Sequence, residues 1–189
     1  GNPDSLKVVD PVMGDNGKPY STYTPELIRR MKELVDAADV ITPNLTETCM
    51  LLGEECPPVM SVAQARSWLA RLSDKPGIVV IKGVPLIDDD GQKLSNVGFD
   101  KESGSFWRID WDHIPVHYPG TGDIFTSVLT ASLLKGESLP IALNRATTFT
   151  EIAVKTTYSY GTEPRLGVLF EDCLSWLMTN TVLCDYRKL

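Results

Sequence analysis

The sequence predicts an α/β fold with a mainly parallel central sheet, helices on both faces and an antiparallel edge hairpin. Three observations predict it. Short β-branched runs break at Asp10-Pro11, at Thr42-Pro43 and at Lys82, and segments of helical length with one apolar face separate them. From Val84 to Trp111 the pattern changes to alternating strands joined by tight turns. Two glycines in Pro119-Gly120-Thr121-Gly122-Asp123 then open an apolar run long enough for a further helix.

Composition bounds the function. A chain of 189 residues, 42% of them hydrophobic, is long enough to bury a substantial core as one domain, expected to span 1–189. A net charge of −7 and a pI near 4.8 argue against nucleic-acid backbone or an anionic membrane as partner, which favours small-molecule chemistry. No apolar run approaches the roughly 18 residues of a membrane span. The Gly1-Asn2-Pro3-Asp4 start does not read as a signal peptide, so a cytoplasmic location is expected. Cys49, Cys56, Cys173 and Cys184 have no Cys-x-x-Cys spacing and read as reduced packing residues.

In chain order, Leu6 to Val9 reads as a buried strand. Pro11 stops further pairing, so Asp10 falls at a strand's carboxyl end, where open α/β sheets place ligands. There it either holds Mg²⁺ through water or simply starts a turn. Gly14-Asp15-Asn16-Gly17-Lys18 lacks the four-residue gap and the Ser/Thr after Lys of a Walker phosphate loop. Thr24-Pro25 starts a helix with Leu27, Ile28, Met31, Leu34 and Val35 as its buried stripe. A brief strand at Val40-Ile41 leads into Thr42-Pro43-Asn44-Leu45-Thr46-Glu47. Asn44 and Glu47 have the spacing of a capping box, and the same spacing points an amide and a carboxylate at a strand end, suited to hydrated Mg²⁺ and its phosphates. Asn44-Leu45-Thr46 is also a glycosylation sequon, discounted without a secretory signal.

Ser61 caps the next helix, and Val62, Ala65, Trp68, Leu69 and Leu72 share one face. Ile78 to Ile81 reads as a strand covered on both faces. Lys82, at its carboxyl end, either reaches solvent or meets nucleotide phosphate. Asp88-Asp89-Asp90-Gly91 is a hairpin turn rather than a calcium loop, because the alternating oxygen ligands and terminal Glu are absent. Trp107, Ile109 and Trp111 form one face of an edge ribbon that borders an adenine or packs on the sheet. His113 and His117 flank Pro115 without a Cys or Glu at metal spacing, which argues against zinc. Helices over about 138–158 and 166–179 complete the chain.

The glycine turn gathers the chemistry. A tight turn into a helix delivers unpaired N–H groups and about half a positive charge, a place for an anion. Asp123 beside it either takes a proton from an attacking hydroxyl or, like Thr121, merely caps the helix.

The ordered series Asp10-Pro11-Val12-Met13-Gly14-Asp15, Thr42-Pro43-Asn44 with Glu47, Lys82, and Gly120-Thr121-Gly122-Asp123 resembles the ribokinase-like superfamily. Within it the likeness is greatest to the pyridoxal (pyridoxine, pyridoxamine) kinases, from about Leu6 to Tyr160. The resemblance implies ATP-dependent, Mg²⁺-assisted phosphorylation of the 5′-hydroxymethyl group of a B6 vitamer. The alternatives are a hydroxymethylpyrimidine or sugar kinase of the same superfamily, or a non-catalytic nucleotide-binding domain. Carried over residue by residue, it implies Asp123 as the base that touches the substrate, and Gly120, Thr121 and Gly122 as the anion hole. Asp10, Asn44 and Glu47 organise the metal and triphosphate, with Asp10 and Glu47 as the metal carboxylates. Thr42 and Lys82 line the ATP side, Arg108 to Trp111 borders the nucleotide, and Tyr20 lies toward the substrate. ATP and a vitamer are the expected partners, and a homodimer is expected of the complete protein. The chain starts at a later central strand than family members do. The likeness therefore implies a fragment with an unpaired sheet edge and weak or no kinase activity in isolation.

Overall fold

In the computed structural model, which describes residues 5–179 and 183–189, Pro11 ends the first strand as its chemistry requires, and β1 is only Val8–Val9. A two-stranded antiparallel hairpin follows, β2 (Gly14–Asp15) and β3 (Lys18–Pro19). Its turn places Asn16 and Gly17 at φ of 51° and 76°. Asn-Gly is a strong hairpin signal.

Helix α1 (Pro25–Asp36) begins where Thr24 accepts a hydrogen bond from the Leu27 N–H and Pro25 takes the first position. Of its predicted stripe only Val35 is buried. Ile28 and Met31 are half-buried, and Leu27 and Leu34 are exposed. Then come β4 (Val40–Ile41), α2 (Leu45–Leu52), β5 (Met60–Ser61), α3 (Val62–Leu72), β6 (Ile78–Asp88), β7 (Gly91–Asp100) and β8 (Ser105–Trp111). The last strand, β9, is Arg187–Lys188.

The sheet runs β1-β4-β6-β7-β8-β9, with β5 also on β6. The β1–β4, β4–β6 and β5–β6 pairings are parallel, whereas β6–β7 and β8–β9 are antiparallel, giving the expected α/β class. Strand β6 does not stop at Ile81. Its register on β7 shifts between Ile81 and Val84, so Lys82 lies in an irregularity inside a long strand rather than at a strand's end. An extra residue bends a strand without ending it, and Gly83 takes the positive φ this needs.

The chain divides into two compact units. The first runs to Arg108 and takes in Arg187–Leu189; the second is Ile109–Tyr186. The first unit's core joins Met13 and Ile41 to Met60 and Leu69, and to Ile81 and Leu86 on β6. Each such side chain contributes about 1.5–3 kcal/mol by leaving water.

In the second unit α4 (Thr121–Leu134) packs on α5 (Leu139–Tyr160), burying Phe125, Leu129, Leu143 and Phe149. The helix expected over 166–179 is replaced by 3₁₀ turns at Pro164–Leu166 and Glu171–Cys173 and one α turn, α6 (Leu174–Leu177). Gly167 breaks the helical path at φ 79°, and a Cβ there would come within 3.3 Å of the Pro119 carbonyl oxygen. Among the described residues no helix is long and apolar enough to cross a membrane.

Candidate functional site

Parallel pairing of Val9 with Ile41 makes the next residues on each strand, Asp10 and Thr42, neighbours. Thr42 Oγ1 donates to Asp10 Oδ1 at 3.0 Å, and Lys82 Nζ donates to the same oxygen at 2.7 Å. The backbone fixes Lys82 there. Its N–H donates to the Pro43 carbonyl at 2.8 Å, and the residue bridges Asn44 in parallel. Asp10 Oδ2 is buried and has no hydrogen-bond partner.

The start of α2 is a full capping box. Asn44 Oδ1 accepts from the Glu47 N–H at 2.8 Å, and Glu47 Oε2 accepts from the Asn44 N–H at 2.7 Å. The box reaches further than capping requires. Glu47 Oε1 accepts from the Met13 N–H at 3.2 Å, and Asn44 Nδ2 donates to the Gly14 carbonyl at 2.9 Å. The Gly17 N–H also donates to Thr46 Oγ1 at 2.9 Å, so the β2–β3 hairpin docks on α2. Neither that docking nor the hairpin itself was foreseen from the sequence, although the Asn16-Gly17 pair is the signal that could have found the hairpin. Glu47 is 2% exposed, and burial pushes its carboxyl up to about 7. The Asn44 and Met13 N–H groups and the Lys82 ammonium oppose that rise, and the Asp10 charge adds to it.

Among the described residues, no three His, Cys, Asp or Glu side chains gather into a metal cage. Mg²⁺ needs none, since it keeps several waters and takes one or two carboxylates plus phosphate oxygens. Asp10 Oδ2 fits that need as an unsatisfied buried carboxylate oxygen. Glu47 fits it less directly, because both of its oxygens already accept backbone N–H groups.

In the second unit Gly120 stands at φ 88° as the N-cap of α4, a left-handed conformation that a Cβ would strain. No side chain caps the helix. The capping alternative for Thr121 and Asp123 is thereby removed. Thr121 Oγ1 donates instead to the Tyr118 carbonyl at 3.3 Å. The first-turn N–H groups at Thr121, Gly122 and Asp123 have no intrahelical acceptors, as at every helix start. Asp123 is exposed in that turn and lines a cavity of about 600 Å³ with Ile124, Ser127, Val128 and Phe170.

The remaining candidates are dispersed. Arg108 is 4% exposed and ion-paired with Asp88, which holds the Asp88 carboxyl below the usual carboxylate range. Trp111 is half-buried, its ring edge-on to His113 at 6.3 Å between centroids, and its indole N–H is buried without an acceptor. Tyr20 is exposed directly after β3, its N–H donating to the Met13 carbonyl.

Comparison with known proteins shows the family. The family described as phosphomethylpyrimidine kinase matches residues 3–166. A pyridoxal kinase of Rubrobacter xylanophilus is 31% identical over 146 residues, 76% of this chain and 48% of that protein. A hydroxymethylpyrimidine/phosphomethylpyrimidine kinase of Haemophilus influenzae is 29% identical over 154 residues, 82% of this chain and 56% of that protein. The chain thus spans about half the length of these relatives. Among solved structures, a Bacteroides thetaiotaomicron protein assigned as a phosphomethylpyrimidine kinase and crystallised with pyridoxal is 40% identical. It superposes with a TM-score of 0.92 over 100% of this chain and 66% of its own. Pyridoxal kinase of Leishmania donovani in complex with ADP and pyridoxamine is 25% identical, with a TM-score of 0.81 over 98% of this chain and 63% of its own. The match over residues 3–166 takes in both the strand-end cluster and the glycine turn, and the chain belongs to the phosphomethylpyrimidine kinase family.

Proposed function

We propose that this chain carries the ATP-handling and phosphoryl-transfer residues of an alcohol kinase whose acceptor is the 5′-hydroxymethyl group of pyridoxal, pyridoxine or pyridoxamine. The observation that carries the reading is the left-handed, uncapped glycine start of α4 with Asp123 exposed in its first turn. Phosphoryl transfer needs positioning and charge stabilisation more than covalent chemistry. The amides at Gly120, Thr121 and Gly122 receive the charge that develops on the transferred group. Asp123 takes the proton from the acceptor hydroxyl. In the first unit Lys82 and Thr42 hold Asp10 in one orientation, and Asn44 and Glu47 fix the α2 terminus beside the β2–β3 hairpin. Mg²⁺, when bound, would neutralise phosphate charge, and Asp10 and Glu47 would be the carboxylates that hold it. Tyr20 toward the acceptor and Trp111 toward the nucleotide complete the reading, while Arg108 acts by anchoring β8 to Asp88. The homodimer of the complete protein and a cytoplasmic location belong to the same proposal.

The family description and the Haemophilus relative favour a second acceptor, hydroxymethylpyrimidine. An acceptor panel at high protein concentration with Mg-ATP separates the two. Formation of pyridoxal 5′-phosphate ahead of the pyrimidine and sugar products supports the first reading, and the reverse order supports the second. Turnover is expected to be weak, because the chain spans about half the length of its relatives. Absence of both ATP binding and phosphorylation contradicts the kinase reading.

A further inference from the structure

We propose that Cys49 and Cys56 form a reversible intrachain disulfide, which makes the end of α2 a redox-modification site. All four cysteines are free in the structure, but only Cys49 and Cys173 are the buried packing residues expected; Cys56 and Cys184 are exposed. Cys49 sits in the second turn of α2, 4% exposed and within the first unit's core. Helix α2 ends at Gly53, left-handed at φ 71°, and the N–H groups of Gly53 and Glu54 both turn back onto the Cys49 carbonyl. The chain is thereby folded over its own last turns, and Cys56 follows two residues later. Its Sγ lies 4.0 Å from the Leu45 carbonyl oxygen. Leu45 is one helical turn before Cys49 on the same face. Side chains on a helix lean toward its N-terminus, so the Cys49 thiol covers that same turn. The two sulfurs therefore share one spot. Burial and then contact with Cys56 push the Cys49 thiol up, which agrees with that placement.

Exposure sets the order of steps. Against a small-molecule disulfide such as glutathione disulfide, the exposed Cys56 thiolate attacks first. The small molecule's S–S bond breaks, one thiolate leaves, and a mixed disulfide forms at Cys56. Cys49, on losing its proton, attacks the Cys56 sulfur and expels the second thiolate. Two protein thiols are oxidised, one disulfide is reduced to two thiols, and the two protons pass to the released thiolates.

The test is thiol counting and peptide mapping on the full chain, dilute and reduced, after incubation with glutathione disulfide. Both Cys49 and Cys56 are expected to be lost as free thiols, whatever adduct the exposed Cys184 takes, with a Cys49–Cys56 linked peptide that dithiothreitol removes. Cys49→Ala is expected to stall at a glutathione adduct on Cys56. The proposal is overturned if the wild-type chain accumulates that adduct without losing the Cys49 thiol. Linkage of Cys56 to Cys184 or to another chain would overturn it equally.

Discussion

Lys82 Nζ lies 2.7 Å from Asp10 Oδ1, and the two side chains are only 14% and 13% exposed. Residues 72 apart in sequence thus share an ion pair that neither local pattern announced. Removing one partner of a buried pair leaves the other charge uncompensated, typically at about 3 kcal/mol or more. Lys82→Met is therefore expected to lose about 3 kcal/mol in urea unfolding, and adding Asp10→Asn should return part of that loss. A single variant as stable as the wild type would mean that solvent, not Lys82, balances Asp10.

Glu47 gives the fold a pH signature. Its carboxyl is raised in the folded chain from 4.5 to about 7, chiefly by burial. The folded state therefore binds more protons than the unfolded one between those values. This contribution is fully present below about pH 4.5 and is lost as pH rises through about 7, where it levels off. The swing is on the order of 3 kcal/mol. Other carboxyls such as Glu137, held low by Arg145, run the opposite way, so the quantity to measure is the difference between wild type and Glu47→Gln. Denaturant unfolding from pH 5 to 8 should show that difference shrinking or reversing in the variant's favour. A pH-independent difference would contradict it.

Gly14 is a steric requirement. A Cβ there would stand 2.3 Å from the Lys18 carbonyl oxygen and 2.9 Å from the Pro19 Cα, both backbone atoms of the paired strand. Gly14→Ala must part β2 from β3, at about 1–3 kcal/mol by analogy with overpacked cores. Because Asn44 Nδ2 donates to the Gly14 carbonyl, the variant should also loosen the start of α2. Faster amide exchange at Met13, Gly17 and Glu47 checks this, and unchanged exchange would refute it.

Much of this was legible from the residues. Proline after Asp10 keeps β1 to two residues by its own chemistry, and the Asn44 to Glu47 spacing announced a box that the structure contains, whereas past Pro43 pairing resumes, with the Lys82 N–H on the Pro43 carbonyl and Asn44 bridging Lys82. The illegible parts depend on distant partners. Strand β6 continues past Lys82 because β7 pairs with it across a bulge, a non-local gain that a local break in the pattern conceals. Gly167 ends a plausible helix because the chain there closes on Pro119. Leu27 and Leu34 have the spacing of a buried stripe but no covering element among the described residues, so periodicity overstated their burial. At Asp123 the residues alone left both a cap and a base open, and only the uncapped start of α4 removed the first.

The most direct measurement is a comparison of Asp123→Asn with the wild type in two assays run together, Mg-ATP affinity by calorimetry and single-turnover phosphorylation of pyridoxal at high protein concentration. If Asp123 frees the acceptor oxygen, phosphorylation falls by about 100-fold or more while the Mg-ATP dissociation constant stays within about twofold. An equal loss of both, or an undiminished rate, would show that the carboxylate at the start of α4 is not the base.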